Sequence, residues 1–463
     1  MFNKETYISR RQALKRATGN GIIILPGNEE TGMNYKDNLY HFRQDSTFLY
    51  YTGIDRPSLF LVMDVDAGIE ILFGGESTMD QIVWTGPQEE LRAIADKAGI
   101  GTVEPFALAE AMLKNAVRQS RAIHFLNPYR AETILKLSDW LKIPHHLLSK
   151  QVSLTLTEAV IAQRAYKTEE EITEIEKAID ITSSMQLKAI QLTRPGIAEF
   201  EIAGQVEGVA ISNGGHLAFP TILTVNGQYL HNHAGSNILQ NGQMVLCDCG
   251  AETARHYAGD MTRTFPVAKT FTVRQREIYD IVLQAQEAAI AALKPGILFR
   301  EVHFTACRQI VNGLKLVGLI KGDADAAVAA GVHTLFFQCG LGHMMGLDVH
   351  DMENLGEEYV GYTEIIKKST EFGLKSLRLA RALEEGFVLT VEPGIYFIPE
   401  LIDRWQGEKK LSEFINYDKV AMYKNFGGIR IEEDFLITSS GSRLLGKPFA
   451  KTPGAIESLN AGR

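Results

Sequence analysis

The sequence predicts an α/β chain in two parts: an N-terminal α/β domain over residues 1–155 and a C-terminal, internally duplicated α+β domain over residues 156–463. Three observations carry that reading. At 463 residues the chain exceeds what one ordinary core accommodates. Short apolar runs alternate with helix-period segments up to about residue 155. Beyond that point two short patterns occur twice: Pro195-Gly196-Ile197 with Glu201 is echoed by Pro295-Gly296-Ile297 with Glu301, and Asn241-Gly242 before Asp248 by Glu385-Gly386 before Glu392. In the second pair each acid stands six residues after its turn glycine.

In the first part, Gly21 to Leu25, Ser58 to Val65 and Ile69 to Phe73 are apolar runs bounded by turn residues and predict strands. Gln88 to Lys97 and Glu104 to Gln119 repeat at helical spacing. The second part opens on Thr168 followed by Glu171, a capping box, ahead of Ile172, Ile175 and Ile179. A second long helix begins the same way at Thr272 and Gln275 and carries Ile278, Ile281, Val282 and Ala285. Pro-Gly stops both helices.

Composition narrows the function classes. With 45% hydrophobic and 22% charged residues the chain reads as soluble and globular, and a net charge of -9 without a Lys/Arg run argues against nucleic acid. The start lacks a secretory apolar core and no stretch approaches a membrane span, so a cytoplasmic location is expected. Cysteines 247, 249, 307 and 339 are too few for a disulfide scaffold and read as small buried residues.

Five residues form the candidate chemistry: Asp248, Asp260, His343, Glu392 and Glu432. A carboxylate in an apolar strand such as Val245 to Cys249 is costly to desolvate unless it is paired or metal-bound. Strand alternation points Asp248 away from the face shared by Cys247 and Cys249. Arg263 is an alternative ion-pair partner for Asp260, and His343 reads equally as a hydrogen-bonded core histidine, with His350 as a second imidazole nearby in sequence. Together, four carboxylates and one imidazole suffice for two divalent ions, the donor set of a metal-dependent hydrolase.

The ordered motifs Gly259-Asp260-Met261-Thr262-Arg263, Gly342-His343 to His350-Asp351, Thr390-Val391-Glu392-Pro393-Gly394 and Gly428-Ile429-Arg430-Ile431-Glu432 resemble the pita-bread metallopeptidases, within them the aminopeptidase P and prolidase branch. The likeness runs from about Arg164 to Thr438, and Phe42 to Gly53 resembles that branch's N-terminal domain. The resemblance implies that Asp248 chelates one ion, Asp260 and Glu432 bridge both, and His343 and Glu392 complete the second. Mn²⁺ is the expected metal, with Co²⁺, Zn²⁺ or Fe²⁺ as alternatives. It further implies proton transfer by Glu392, substrate binding by His231, oxyanion contact by His350, orientation of the bridging carboxylates by Arg430, and a proline pocket lined by Tyr396. The substrates would be short proline-containing peptides and the assembly a homodimer or homotetramer.

The chain departs from the family in having Cys339 four residues before the metal histidine, where a histidine is usual. The interval between Asp248 and Asp260 is one residue longer than the family's, which predicts a longer turn or a bulge. Cleavage of Xaa-Pro from a longer chain is the leading expectation and a dipeptidase the alternative. Arg378, 14 residues before Glu392, resembles the prolidase arginine that reads a free carboxylate, the stretch from Tyr396 to Gly428 has prolidase-like length, and Trp84, expected in a loop, is a candidate for reaching a neighbouring subunit. A non-catalytic peptide-binding relative is a remote alternative, because such members lose metal ligands. Methionine aminopeptidases usually lack this kind of N-terminal domain, and creatinase lacks the ligand set.

Overall fold

Alternating apolar runs become a five-stranded mixed sheet in the N-terminal part of a computed structural model that describes residues 1–461. Ile22–Pro26 pairs antiparallel with Phe60–Asp64 and parallel with Ile123–His124; Ile69–Gly74 pairs with Phe60–Asp64 and with Thr102–Pro105. Ile22, Ile24, Phe60, Val62 and Phe73 meet Leu113, Leu137 and Trp140 of two helices, Phe106–Arg118 and Ala131–Leu141, in one apolar core. Asp45 caps the short helix Ser46–Thr52 by accepting a hydrogen bond from the Phe48 amide at 2.8 Å. This compact unit spans Met1–Arg164 and includes Asn354–Gly356; the second comprises Ala165–Glu353 and Glu357–Arg463.

The second unit is built twice. The helices Glu169–Leu192 and Glu199–Ser212 pack as one pair, and Val273–Ala292 and Phe299–Leu316 as another. Capping boxes open the first member of each pair, at Thr168–Glu171 and Thr272–Gln275, as the sequence predicts. The Pro-Gly-Ile echo has one structural meaning in both copies. The Gly196 amide donates to Leu239 O at 2.9 Å, and the Gly296 amide to Leu383 O at 2.8 Å. Three residues past each acceptor stands a glycine in the left-handed region, Gly242 with φ 87° and Gly386 with φ 91°. The strand carrying the acid follows each of these turns, Met244–Cys249 in one half and Val388–Val391 in the other.

Each ligand strand has an antiparallel partner. Met244–Cys249 pairs with Met261–Pro266, setting Asp248 opposite Thr262, and Val388–Val391 pairs with Glu433–Ile437, setting Val391 opposite Glu433. The register Cys249–Met261 continues unbroken to the Glu252–Ala258 bridge. No bulge is therefore present; the interval is taken up in the turn, where His256 adopts φ 64° and bonds Glu252 Oε1 at 2.8 Å. In the second half the pairing stops at Glu392-Pro393 and resumes as Gly394–Tyr396 against Gly428–Arg430. Proline offers no amide to the ladder. Among the described residues no helix is long and apolar enough to cross a membrane.

Candidate metal centre

Local backbone devices aim the five ligand candidates at one place. Asp248 is the penultimate residue of its strand, and Asp260 sits just before the strand paired with it. Glu432 lies between Gly428–Arg430 and Glu433–Ile437, and Glu392 just past Val391. His343 is held by backbone lacing: its amide donates to Thr390 Oγ1 at 3.2 Å, its carbonyl accepts from the Thr390 amide at 3.0 Å, and the Glu392 amide donates to Leu341 O at 2.7 Å. The approach is so close that a Cβ on Gly342 would stand 2.0 Å from Thr390 O. Only glycine fits there.

The ligand atoms converge. One atom each of Asp260, His343 and Glu432 lie within 4.8 Å of one another. His343 Nε2 is 3.5 Å from Asp260 Oδ2 and 3.8 Å from Glu392 Oε1. Its Nδ1 sits 3.1 Å from the Met344 carbonyl, which can only accept, so Nδ1 carries the proton and Nε2 presents a lone pair to the carboxylates. Asp260 and Glu432 are pushed well above the usual carboxylate range by burial and then by the neighbouring carboxylates. Glu392 is raised by burial, with His343 and Arg430 opposing. Asp248 Oδ1 and Asp260 Oδ1 are buried without a hydrogen-bond partner among the described residues. Crowded buried carboxylates with unpartnered oxygens, beside an imidazole lone pair, fit divalent cations and little else.

Arg430 organises the floor of the site. Its guanidinium donates to Asp248 Oδ2 at 2.5 Å, Thr262 Oγ1 at 3.0 Å and the Tyr396 hydroxyl at 2.9 Å. Burial works against its charge, but Tyr396 and Asp248 outweigh it and hold the group protonated. Arg263 is not a partner of Asp260; it pairs with Glu433 at 3.0 Å and donates to the Glu432 carbonyl at 2.7 Å.

The centre opens into a cavity of about 540 Å³ lined by apolar residues that include Phe219, Leu230 and Val349 and by polar ones that include His231, His350 and Arg378. His350 lies with its ring centroid 4.2 Å from His343 and its Nδ1 2.7 Å from Glu353 Oε2. Burial and His343 hold its pKa down at about 4, so the neutral ring keeps Nδ1–H on Glu353 and presents Nε2 as an acceptor. His231 is lowered by desolvation and by Arg430. Arg378 is engaged by two carboxylates, Glu353 and, at 3.3 Å, Glu357.

Three expectations change. Tyr396 is fully buried beneath Arg430 and is not among the residues that line the cavity; it props the guanidinium. Trp84 belongs to the N-terminal unit, on the helix Met79–Thr85 and not in a loop, and is 86% exposed. Cys339 lines the cavity, but burial and the Glu392 charge push its thiol up to about 12, so it stands there as a neutral group. Cys247, Cys249 and Cys307 are buried free thiols, as read from the sequence. Two contributors went unread: Thr262, whose hydroxyl donates to Glu432 Oε2 at 2.7 Å while accepting from Arg430, and Glu353, shared by His350 and Arg378. The register partner of Asp248 was the available signal for Thr262.

Comparison with known proteins agrees with this geometry. Residues 173–439 match metallopeptidase family M24, and residues 7–124 match the aminopeptidase P N-terminal domain. The chain is 31% identical to the Xaa-Pro dipeptidase of Homo sapiens over 99% of its own length and 92% of the relative's. It is 30% identical to the Xaa-Pro aminopeptidase of Escherichia coli, over 99% and 98%. Among solved structures, zinc-substituted E. coli aminopeptidase P in complex with product superposes with a TM-score of 0.82 at 28% identity, covering 100% of this chain and 99% of that one. Proline aminopeptidase P II from Yersinia pestis gives 0.81 at 29% identity, covering 100% of both. The pita-bread duplication, the ligand arrangement and the match over more than half of the sequence lead to one conclusion: the chain belongs to metallopeptidase family M24.

Proposed function

We propose that this metallopeptidase is an exopeptidase that hydrolyses the bond between an N-terminal residue and a following proline, with short proline-containing peptides as substrates. The observation that carries the reading is the carboxylate–imidazole cluster with two unpartnered buried oxygens, opening directly onto a cavity of about 540 Å³ lined by both apolar and polar side chains. The Xaa-Pro activities of the relatives from both subfamilies support it.

Asp248, Asp260, His343, Glu392 and Glu432 would hold two divalent ions, Mn²⁺ by the preponderance of oxygen donors. When bound, such ions supply a nucleophilic water near neutral pH and positive charge for the developing oxyanion. The chain's own residues do the rest. Glu392, whose carboxyl is raised, accepts the proton of the attacking water and delivers it to the departing proline nitrogen. His350, through Nε2, accepts a hydrogen bond from a substrate N–H; donation to an oxyanion would require its imidazolium form, which burial opposes. His231 offers the substrate a polar side chain, while Phe219, Leu230 and Val349 offer the pyrrolidine ring apolar surface. Arg430 and Thr262 keep Asp248 and Glu432 oriented.

Aminopeptidase action is favoured over dipeptidase action because Arg378 already faces two carboxylates, which offset the charge that a dipeptide terminus would need. The reading extends to a cytoplasmic homodimer or homotetramer, to which Trp84 and Val83, exposed on one short helix, would contribute. The test is hydrolysis of Xaa-Pro-Yaa-Zaa peptides by Mn²⁺-loaded protein, abolished by a chelator and restored by Mn²⁺. Absence of turnover on any Xaa-Pro peptide by fully metallated protein overturns the assignment.

A further inference from the structure

A second constellation lies apart from the carboxylate centre. His303 and Cys307 stand four residues apart on the helix Phe299–Leu316, so both face the same way, and that face is the buried one. His333 meets them from the 3₁₀ turn Val332–Leu335. One ligand atom from each of the three lies within 4.8 Å of the others. All three are interior: His303 is 1% exposed, His333 2% and Cys307 0%.

Three of the four imidazole nitrogens are unused by the protein. His333 Nδ1 and Nε2 and His303 Nδ1 have no hydrogen-bond partner among the described residues. The one polar contact within the trio is Cys307 Sγ to His303 Nε2 at 3.4 Å. An imidazole with both nitrogens orphaned in a protein interior is unfavourable unless something binds it. The 3.4 Å separation is also close to the edge of about 3.6 Å that a tetrahedral zinc imposes on one imidazole nitrogen and one thiolate.

We propose that His303, Cys307 and His333 form a binding site for a thiophilic divalent ion, Zn²⁺ by its donor set, distinct from the oxygen-rich centre. Two imidazoles and a sulfur suit a softer ion than four carboxylates do, so one chain sorts two kinds of metal between two sites. Binding converts the Cys307 thiol to a thiolate, its proton leaving to solvent, while both imidazoles bind in their neutral form. The fourth position is left for water. Access exists: His333 also lines a separate cavity of about 1000 Å³, together with Phe304, Thr334 and Arg308. The bound ion ties the Phe299–Leu316 helix to the turn that leads, through Phe336 and Phe337, to the wall bearing Cys339.

Cobalt distinguishes the two sites, because only a thiolate ligand gives a sulfur-to-Co²⁺ charge-transfer band in the near ultraviolet. The full-length protein, reduced and freed of metal, is titrated with Co²⁺ past saturation of the carboxylate centre. The band is expected in the wild type, absent from Cys307→Ser and His333→Gln, and retained in Cys339→Ser, with Cys307→Ser binding one equivalent of metal fewer than the wild type. A wild type without the band, or a band that survives Cys307→Ser, overturns the site. Should Cys307→Ser fail to fold, X-ray absorption at the zinc edge of Zn²⁺-loaded Cys339→Ser decides: a sulfur neighbour at about 2.3 Å upholds the site, and a shell of nitrogen and oxygen alone overturns it.

Discussion

Arg430 holds Asp248 by one oxygen only: Nη2 donates to Oδ2 at 2.5 Å, and Oδ1 has no partner among the described residues. The guanidinium fixes the carboxylate plane while leaving its other oxygen to a cation. Arg430→Ala is therefore expected to lower kcat by about 10–100-fold, the usual effect of removing a group that orients a metal ligand. Thr262→Val should act in the same direction, because it unties both Arg430 and Glu432. Steady-state kinetics at saturating Mn²⁺, with bound metal measured by mass spectrometry, checks both.

Metal removal should reverse the stability order of the wild type and Glu432→Gln. Glu432 is an acid whose folded pKa lies above its unfolded value, so its charge destabilises the chelated fold above the unfolded pKa of about 4.3, and the penalty lifts as pH falls. Chelated Glu432→Gln is expected to melt above chelated wild type at pH 7. With metal present the order reverses, since ligand binding at a hundredfold excess over Kd is worth about 2.7 kcal/mol to the wild type. Thermal melts with and without chelator test this; a chelated variant that melts lower refutes the crowding argument.

Arg378→Ala separates the two specificities. With Glu353 and Glu357 already occupying the guanidinium, the variant should lose kcat/KM equally on Xaa-Pro and Xaa-Pro-Yaa-Zaa. A loss confined to the dipeptide would instead assign Arg378 to a substrate carboxylate and the enzyme to the dipeptidases.

In the N-terminal unit, Arg121 grips Asp64 with two hydrogen bonds of 2.6 Å, and this pairing is the main cause that lowers the Asp64 pKa. A depressed acid contributes stability above its unfolded pKa, about 3.9, and loses it as pH falls through the folded value. Asp64→Asn should cost about 2 kcal/mol at pH 7, within the range for hydrogen bonds to charged groups. The gap from wild type should close below about pH 4. Urea unfolding at both pH values measures it.

The clustering of the acids was legible because burial of an acid is so costly that Asp248 and Glu392 stand out in apolar strands, and because a left-handed glycine marks both turns. The duplication was legible for the same reason. Thr262 was not, since a threonine in a strand looks like ordinary β propensity until its register partner is known. Tyr396 was assigned to the pocket by resemblance alone, and its burial against Arg430 is a packing detail that no motif carries. Trp84 was avoidable: Thr78 and Gln81 form the same capping box that revealed the two long helices. His303, Cys307 and His333 stayed invisible because the third residue comes from a separate turn.

The lacing described for His343 and Glu392 has its counterpart across the repeat. Glu432 donates its amide to the Thr262 carbonyl at 3.1 Å, and Arg430 and Thr264 exchange amide, carbonyl and hydroxyl bonds, so strands from opposite halves are stitched beside the ligands themselves. Each half thus brings a prefabricated part, one with two aspartates and one with a histidine and two glutamates. The seam between the two copies thus runs through the centre itself, so a cation held there would rivet the duplicated fold.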